Sequence, residues 1–377
     1  DGVQRAMRTR LPLHRWLIGS GSIDARDYVD RLARSLGAPL LDTGSGVVLV
    51  HGEGAGMAAP RFARLGHGYD AWLVVDATEV SPADVAALMR IEFAAGRGVV
   101  LAAGVEIRAM LLATHGRGIL RTAIGGLATQ DPASSAASGL WLEQRVVIAV
   151  LVGLFLGLLA MTPDLAVQAL AVALAGPFVL VVTLQLTALL VATVAGSGGP
   201  LLRPRVADGA LPVYSVMVPL YRETRVLTGL LAALRAIDYP AAKLDIKLVL
   251  EAADTDMIAA VVAQDLLAPF DVIIVPDAAP RTKPKALNYA LAFIRGSFVT
   301  IFDAEDIPEP GQLREALHAF DRGGAALGCV QARLAVDNEA SGWLARQFAV
   351  EYLALFDGLL PALARLGLPM PLGGTSN

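Results

Sequence analysis

The sequence of 377 residues contains a single cysteine, Cys329, so no internal disulfide can form and nothing requires an oxidising compartment. Charged residues are scarce at 18%, against about 25% in an average soluble protein. The net charge of −4 lacks the basic excess of a general nucleic-acid-binding protein. Apolar residues make up 55% of the chain and the mean hydropathy is +0.56, which excludes intrinsic disorder.

The apolar excess is concentrated in one region. Between Arg145 and Arg203 the only charged residue is Asp164. Because a helix needs about 20 apolar residues to cross a bilayer, we predict a transmembrane hairpin within residues 141–196. Its helices are expected near residues 142–162 and 169–195, with a tight turn at residues 162–164. The alternative is a buried core hairpin, which so much uncharged sequence in a row disfavours.

Basic residues flank this hairpin on both sides, whereas the predicted turn carries none. They are Arg121, Arg145, Arg203 and Arg205. The tendency of basic flanks to stay inside places both neighbouring regions in the cytoplasm and the turn outside.

Residues 1–140 read as a small soluble α/β domain, because short apolar strands alternate with helical patterns. Ser22 or Asp24 is expected to cap one helix, and Ser81 another. The predicted helices are residues 24–36, 81–95 and 105–114, and the predicted strands are residues 46–51, 71–76 and 99–103. Three histidines lack the spacing of a metal site and are interpreted as loop residues: His51, His67 and His115.

From residue 212 onwards, strands and helices alternate in a doubly wound order. The predicted strands are residues 213–219, 245–250, 270–275 and 298–302, with helices over residues 224–236, 256–267 and 285–294. Acidic residues follow three of these strands: Glu223, Glu251, Asp254, Asp303, Glu305 and Asp306. In such folds, functional residues lie at the carboxyl ends of the strands.

Carboxylates crowded at one edge of a sheet repel one another unless a cation lies among them. A divalent ion with oxygen ligands would provide that charge and would also neutralise a diphosphate. Arg281, Lys283 and Lys285 could contact phosphates or acidic groups. Each acid taken alone could equally be a solvated turn residue or a helix cap. Neither a Walker lysine loop nor a glycine-rich dinucleotide fingerprint is present, which argues against a kinase or a dehydrogenase.

Six short motifs in this region carry a family resemblance: VPLYRE, LVLEAADTDM, TKPKALNYAL, IFDAEDIPEP, VQARLAVDNEASGW and PLGGTSN. With them, residues 212–377 resemble a membrane-embedded family 2 glycosyltransferase of the cellulose-synthase-like branch. The resemblance implies an α/β fold in which a GT-A (Rossmann-like) domain follows the two-helix hairpin. It also implies a bacterial-type inner membrane, with the N-terminal and catalytic parts in the cytoplasm.

The resemblance also implies roles for single residues. It assigns nucleotide-sugar binding to Pro219, Tyr221, Glu223, Glu251, Asp254, Lys283, Asn288 and Asp303. It assigns Mg²⁺ or Mn²⁺ to Asp303 and Glu305, with Asp306 sharing the role because the DxD motif here ends in Glu. It places Gln331, Gly373, Gly374, Thr375 and Ser376 beside the donor sugar and acceptor. A preceding helix carries Trp343, Glu351 and Tyr352, which either pack in the core or face the acceptor.

In the resembled family, the catalytic base follows the Gly-Gly-Thr segment, whereas this sequence stops at Asn377 and begins with Asp1. We therefore expect a chain truncated at its C-terminus, with no catalytic base inside it. Residues 11–42 weakly resemble the N-terminal domain of type II secretion ATPases, some of which bind cyclic di-GMP. The tandem nucleotide-binding repeat of those domains is absent, so cyclic di-GMP is only a weak partner prediction.

The sequence thus predicts inverting transfer of a sugar, from a UDP-sugar, to a growing polysaccharide at the cytoplasmic face of a membrane. The expected partners are the nucleotide-sugar donor, a glycan or lipid-linked acceptor and the lipid bilayer, but no nucleic acid. A lipid acceptor is the first alternative. The second is a catalytically inactive membrane scaffold or sensor.

Overall fold

The structure, a computed structural model, describes residues 12–42, 49–53, 62–65, 72–195 and 206–376. These residues fall into two compact units. The first unit takes in residues 1–126, 205–330 and 374–377, and the second takes in residues 127–204 and 331–373.

The N-terminal part of the first unit is a small α/β layer. Its helices are α1 (Leu13–Gly19), α2 (Ala25–Leu36) and α3 (Pro82–Ala94), and its strands are β1 (Leu49–Glu53), β2 (Phe62–Leu65), β3 (Trp72–Asp76) and β4 (Gly98–Ala102). The sheet order is β1-β2-β3-β4, with only β3 and β4 parallel among these strands. Two predicted caps are confirmed, since Asp24 accepts from the amides of residues 26 and 27 and Ser81 accepts from that of residue 84. The predicted strand at residues 46–51 lies partly outside the described residues.

The second sheet of this unit is fully parallel, in the order β7-β6-β5-β8. Its strands are β5 (Tyr214–Leu220), β6 (Leu244–Glu251), β7 (Phe270–Val275) and β8 (Phe298–Ile301), and its helices are α7 (Leu227–Arg235), α8 (Thr255–Val262), α9 (Lys283–Ala290) and α10 (Gln312–Gly323). The chain moves outward from β5 in one direction and then returns to place β8 on the other side. The crevice between β5 and β8 is therefore a topological switch point, where α/β sheets bind ligands. The predicted α/β fold class is confirmed.

One long helix links the two sheets. Helix α4 (Gly104–Gln130) is far longer than the predicted 105–114 and continues to residue 130. Its apolar side chains recur at helical spacing, and Ala123 is buried against Met217, Val249 and Ile273 of the parallel sheet. The N-terminal part of the chain therefore supplies a helix that covers one face of the second sheet.

A network of buried charges lies beneath this helix. Lys247, on β6, donates to Asp271 at 2.7 Å and contacts Asp245 at 2.9 Å. Asp271 also receives the guanidinium of Arg108 from α4, with one Nη2–Oδ1 distance of 2.7 Å. Arg295 donates from Nε to Asp245 at 3.0 Å. Burial alone would raise the pKa of Asp245, but Lys247 and Arg295 outweigh it and lower that pKa to about 2.

The second unit contains the predicted hairpin. Helix α5 (Leu142–Met161) and helix α6 (Pro163–Ala195) are separated only by Thr162. The predicted start of the second span at residue 169 is wrong, because proline suits the first helical position and the helix begins there. Both helices are long and apolar enough to cross a membrane, and almost none of their side chains is buried by protein.

The helix expected to carry Trp343, Glu351 and Tyr352 is part of a longer apolar stretch whose capacity to cross a membrane was not predicted. This third apolar stretch comprises α11 (Trp343–Leu353), a π-helical segment (Ala354–Leu359) and α12 (Leu360–Arg365). By length and composition alone, Trp343–Arg365 could also cross a membrane. Within the second unit, its buried residues Phe356, Leu360 and Leu363 form a small cluster with Leu184 of α6 packed against it.

Candidate functional site

A cavity of about 380 Å³ lies at the switch point of the parallel sheet. Most of the predicted nucleotide-sugar residues line it: Pro219, Tyr221, Glu223, Glu251, Lys283 and Asp303, together with Glu305 from the predicted metal pair. They come from the carboxyl ends of β5, β6 and β8 and from the start of α9. The structure thus brings together side chains that lie up to 86 positions apart in the sequence.

Glu251, at the end of β6, is held in place by a buried lysine. Lys285 is 2% exposed, and its Nζ donates to the Glu251 carboxylate and to the Ala278 carbonyl, both at 3.0 Å. The sequence analysis expects Lys285 to contact either a phosphate or an acidic group, and in the structure it contacts the carboxylate of Glu251. The pair leaves Glu251 facing the cavity in a fixed orientation.

Three carboxylates meet across the cavity. Burial raises the pKa of Glu223, and the charges of Glu305 and Asp303 raise it further, against opposing effects from the Tyr221 backbone and Lys283. A carboxylate whose pKa is raised by neighbouring negative charges favours a cation close to it. Protein groups alone do not complete a metal cage, since the described residues contain no group of three or more His, Cys, Asp or Glu suited to one.

This donor set still fits a divalent ion. Mg²⁺ is commonly held by one or two carboxylates together with substrate phosphates rather than by an all-protein cage. Asp303 and Glu305 supply two carboxylates at the rim of a cavity large enough for a substrate.

Asp306 is hydrogen bonded within the acidic loop. Its Oδ2 accepts from the Asp303 backbone amide at 2.7 Å and from the Thr375 hydroxyl. These bonds commit the carboxylate to shaping the acidic loop, and the side chain does not line the cavity. The expectation that Asp306 shares the metal is therefore not supported by its position.

The predicted Gly-Thr-Ser segment lies directly on the acidic loop. Thr375 Oγ1 accepts from the Asp303 amide at 3.1 Å, and the Ser376 amide donates to the Ile301 carbonyl at 2.7 Å. Gly374 accepts from Lys283 Nζ at 2.8 Å. Residues 374–376 are thus fixed at the end of β8, where they contact Lys283 and Asp303 of the cavity lining.

Two predicted binding residues lie outside the cavity lining. Asp254 caps α8 by accepting from the Met257 amide at 3.2 Å, and it accepts from the Arg222 amide at 2.6 Å. Asn288 donates from Nδ2 to the Ala123 carbonyl of α4 at 3.2 Å. Both side chains therefore bind backbone groups of neighbouring segments, and neither faces the cavity.

Two further predicted residues belong to the second unit. They are Gln331 and Gly373, which lie at the two ends of the segment that contains α11 and α12. A hydrogen bond from the Gly373 amide to Gln331 Oε1, at 2.7 Å, joins these ends.

Sequence reasoning did not commit Arg281 and Thr282 to the site, although both line the cavity. Arg281 makes a bidentate pair with Asp277, with both N–O distances at 2.8 Å. Both residues lie in the loop before α9, so helical spacing could not have indicated the pair. The guanidinium stays exposed at the cavity mouth, where a phosphate could reach it.

Comparison with known proteins gives one family match. Residues 212–366 match the family described as "Glycosyltransferase like family 2". No curated protein matches the chain.

Among solved structures, similarity is partial. TarS 1–349 of S. aureus, solved with UDP-GlcNAc, is 19% identical over 33% of this chain and 41% of its own, with a TM-score of 0.26. The mannosyltransferase PcManGT of Pyrobaculum calidifontis, solved with GDP-Man and Mn²⁺, is 26% identical over 51% of this chain and 61% of its own, with a TM-score of 0.30. The chain thus spans less than two thirds of the length of either protein. The family model thus matches residues 212–366, which make up less than half of the chain.

Proposed function

We propose that the protein transfers a sugar from a nucleotide-sugar to an acceptor hydroxyl, with inversion at the anomeric carbon. The observation that carries the proposal is the cavity at the switch point, which brings Glu223, Asp303 and Glu305 together inside the region of the family match. A UDP-sugar is the proposed donor and a growing polysaccharide the proposed acceptor.

Each group of the cavity has a role in this reaction. Tyr221 and Glu251 border the part of the cavity proposed for the nucleoside, and Lys285 fixes the orientation of Glu251. Asp303 and Glu305 would hold Mg²⁺ or Mn²⁺. Bound there, the metal would neutralise the charge of the departing diphosphate.

The acceptor side is assigned to residues 374–376, which Asp306 and the end of β8 hold in place. Inverting transfer also requires a general base to deprotonate the acceptor hydroxyl. No residue of the described part of the chain is assigned that role.

The proposal is tested by incubating the membrane-inserted protein with radiolabelled UDP-sugars and Mn²⁺. We expect a label that remains in high-molecular-mass glycan, with the anomeric configuration inverted in the product. A label that is extracted into organic solvent would indicate that the acceptor is a lipid and not a polysaccharide. Absence of both transfer and donor binding would contradict the enzyme and favour a scaffold or sensor.

We further propose that the hairpin α5–α6 spans a bacterial-type inner membrane, with the first unit on the cytoplasmic side. Support comes from the length and apolar character of both helices, whose side chains protein leaves uncovered. The third apolar stretch differs. Gln331 precedes it, Gly373 follows it, and the two residues are hydrogen bonded. The chain therefore enters and leaves this stretch on the same side of the membrane. We therefore expect Trp343–Arg365 to lie along the membrane surface.

Spin labels on α11 distinguish a surface helix from a spanning one. In a Cys329→Ser background, Phe348→Cys places a label on the exposed apolar face, and Arg346→Cys places one about half a turn away. We expect high oxygen accessibility at position 348 and high accessibility to a polar nickel reagent at position 346. Low nickel accessibility at both positions would indicate a transmembrane helix instead.

A further inference from the structure

Lys283 makes two bonds that join distant parts of the site. Its Nζ donates to the Asp303 carboxylate, and it donates to the Gly374 carbonyl at 2.8 Å. The side chains of Lys283 and Asp303 are 36% and 31% exposed, so the pair is open to exchange with solvent and ligands. One ammonium group therefore touches both the proposed metal-binding carboxylate and the segment on the acceptor side.

Two other cations lie close to Lys283 in the described residues, Arg281 in the cavity lining and Lys285 in the protein interior, and both already have partners. Arg281 forms its bidentate pair with Asp277, and Lys285 is buried on Glu251. Among the described residues that line the cavity, Lys283 is thus the cation that donates to a carboxylate of the acidic loop. Its ammonium contacts the carboxylate of Asp303, which is one of the two acids that would hold a divalent ion.

The Gly374 contact is chemically separate from the other attachments of its segment. Thr375 is held by Asp306, and the Ser376 amide is held by the Ile301 carbonyl at the end of β8. Those bonds do not involve a cation. The bond at Gly374 is made by the same ammonium that neutralises Asp303, so a change at Asp303 is transmitted to Gly374.

We propose that Lys283 is a positioning residue that exchanges with the metal on Asp303 and so couples donor loading to the acceptor-side segment. This inference rests on the proposed function. When a divalent ion and a diphosphate occupy the cavity, Asp303 exchanges the ammonium for the metal and Lys283 acquires a phosphate as its new partner. The Gly374 carbonyl then loses its donor, and the segment before Thr375 is released.

The exchange is tested by Mn²⁺ titration of the intact protein in nanodiscs, without nucleotide, with free Mn²⁺ measured by electron paramagnetic resonance. Lys283→Met removes the competing ammonium, and we expect Mn²⁺ to bind about 3-fold to 5-fold more tightly, the size of a partly exposed ion pair. Lys283→Arg keeps a cation and should restore the weaker binding. Arg281→Met removes a cavity charge that does not contact Asp303 and should change the affinity by less than about 2-fold.

The coupling is tested by hydrogen exchange of a peptide covering residues 370–376. In the wild-type protein, Mn²⁺ with UDP should increase exchange in this segment. In Lys283→Met, exchange should already be high without ligand, while the melting temperature stays close to that of the wild type.

The outcomes separate this inference from the proposed function. Equal Mn²⁺ affinity for the wild type and Lys283→Met would overturn the exchange while leaving donor binding intact. Unchanged exchange of residues 370–376 in that variant would overturn the coupling. Failure of both proteins to bind Mn²⁺ or UDP would overturn the inference together with the proposed function.

Discussion

Replacing Asp303 with asparagine is expected to weaken metal-dependent binding of the nucleotide-sugar by about 100-fold, or about 2.7 kcal/mol. The change removes the carboxylate that meets Lys283 at the end of β8 and that is proposed to hold the metal. The loop itself should persist, because Asp306 and Thr375 contact the backbone amide of residue 303 rather than its side chain. Isothermal titration calorimetry with UDP-sugar and Mn²⁺ measures the loss.

A charge-matched control separates this effect from general electrostatics. Asp256 is exposed on α8 outside the cavity lining, so Asp256→Asn removes the same charge and should leave the affinity within about 2-fold. Equal affinities for Asp303→Asn and the wild type would show that the carboxylate does not take part in donor binding. That result would remove the metal site from the account.

The second large effect concerns stability. Asp245→Asn is expected to lower the free energy of unfolding by about 3–5 kcal/mol, because the buried Lys247 and the partly buried Arg295 lose their shared carboxylate. Ser215 Oγ, which donates to Asp245 at 2.7 Å, would also lose its charged acceptor. For a domain of this size the melting temperature should fall by about 6–20 °C, as measured by intrinsic fluorescence in detergent.

The same carboxylate makes the protein acid-sensitive. The pKa of Asp245 is lowered from its ordinary 3.8 to about 2 in the folded state, so its ionised form stabilises the protein fully above pH of about 4. That contribution is lost as the pH falls towards 2. The difference between the wild type and Asp245→Asn should therefore shrink over this range, and a constant difference would contradict the ion-pair explanation.

Asp30→Asn is the matched control for stability. Asp30 pairs with Arg34 on the exposed face of α2, where an ion pair contributes about 0–1 kcal/mol. Its removal should shift the melting temperature by no more than about 2–4 °C.

The elements that surround the cavity could be predicted because each has a local signal. The four strands of the parallel sheet are short apolar runs, three of them followed by the acids singled out in the sequence, and the structure places them within one residue of the predicted bounds. Helix α8 is shorter than predicted and ends at Val262, and Asp265 shortly after it adopts φ of 44°. The spacing of apolar residues carries no information about a positive φ, so it could not predict where this helix ends.

The roles of Asp306 and Asn288 could not be predicted from their spacing. A DxD-like motif indicates acids near a metal, but Asp306 is turned towards Thr375, a residue 69 positions away. Asn288 lies in a motif typical of nucleotide support, yet its partner is the Ala123 carbonyl of a helix from the N-terminal region. Such long-range hydrogen bonds depend on the fold, and no single segment of sequence encodes them.

The third apolar stretch was missed for a related reason. Arg346, Glu351 and Asp357 interrupt its hydropathy, so it lacks the uncharged run that revealed α5 and α6. The packing of α4 against the parallel sheet could not be predicted either. Apolar spacing indicates that a helix has a buried face, but it does not indicate which element packs against that face.

The most direct test of the account is nucleotide-sugar binding by the wild-type protein in nanodiscs, measured calorimetrically with Mn²⁺ and again after chelation. The account predicts that a UDP-sugar binds with Mn²⁺ present and that chelation with EDTA abolishes most of the binding. Absence of binding by UDP-sugars and other nucleotide-sugars under both conditions would contradict the proposed glycosyltransferase.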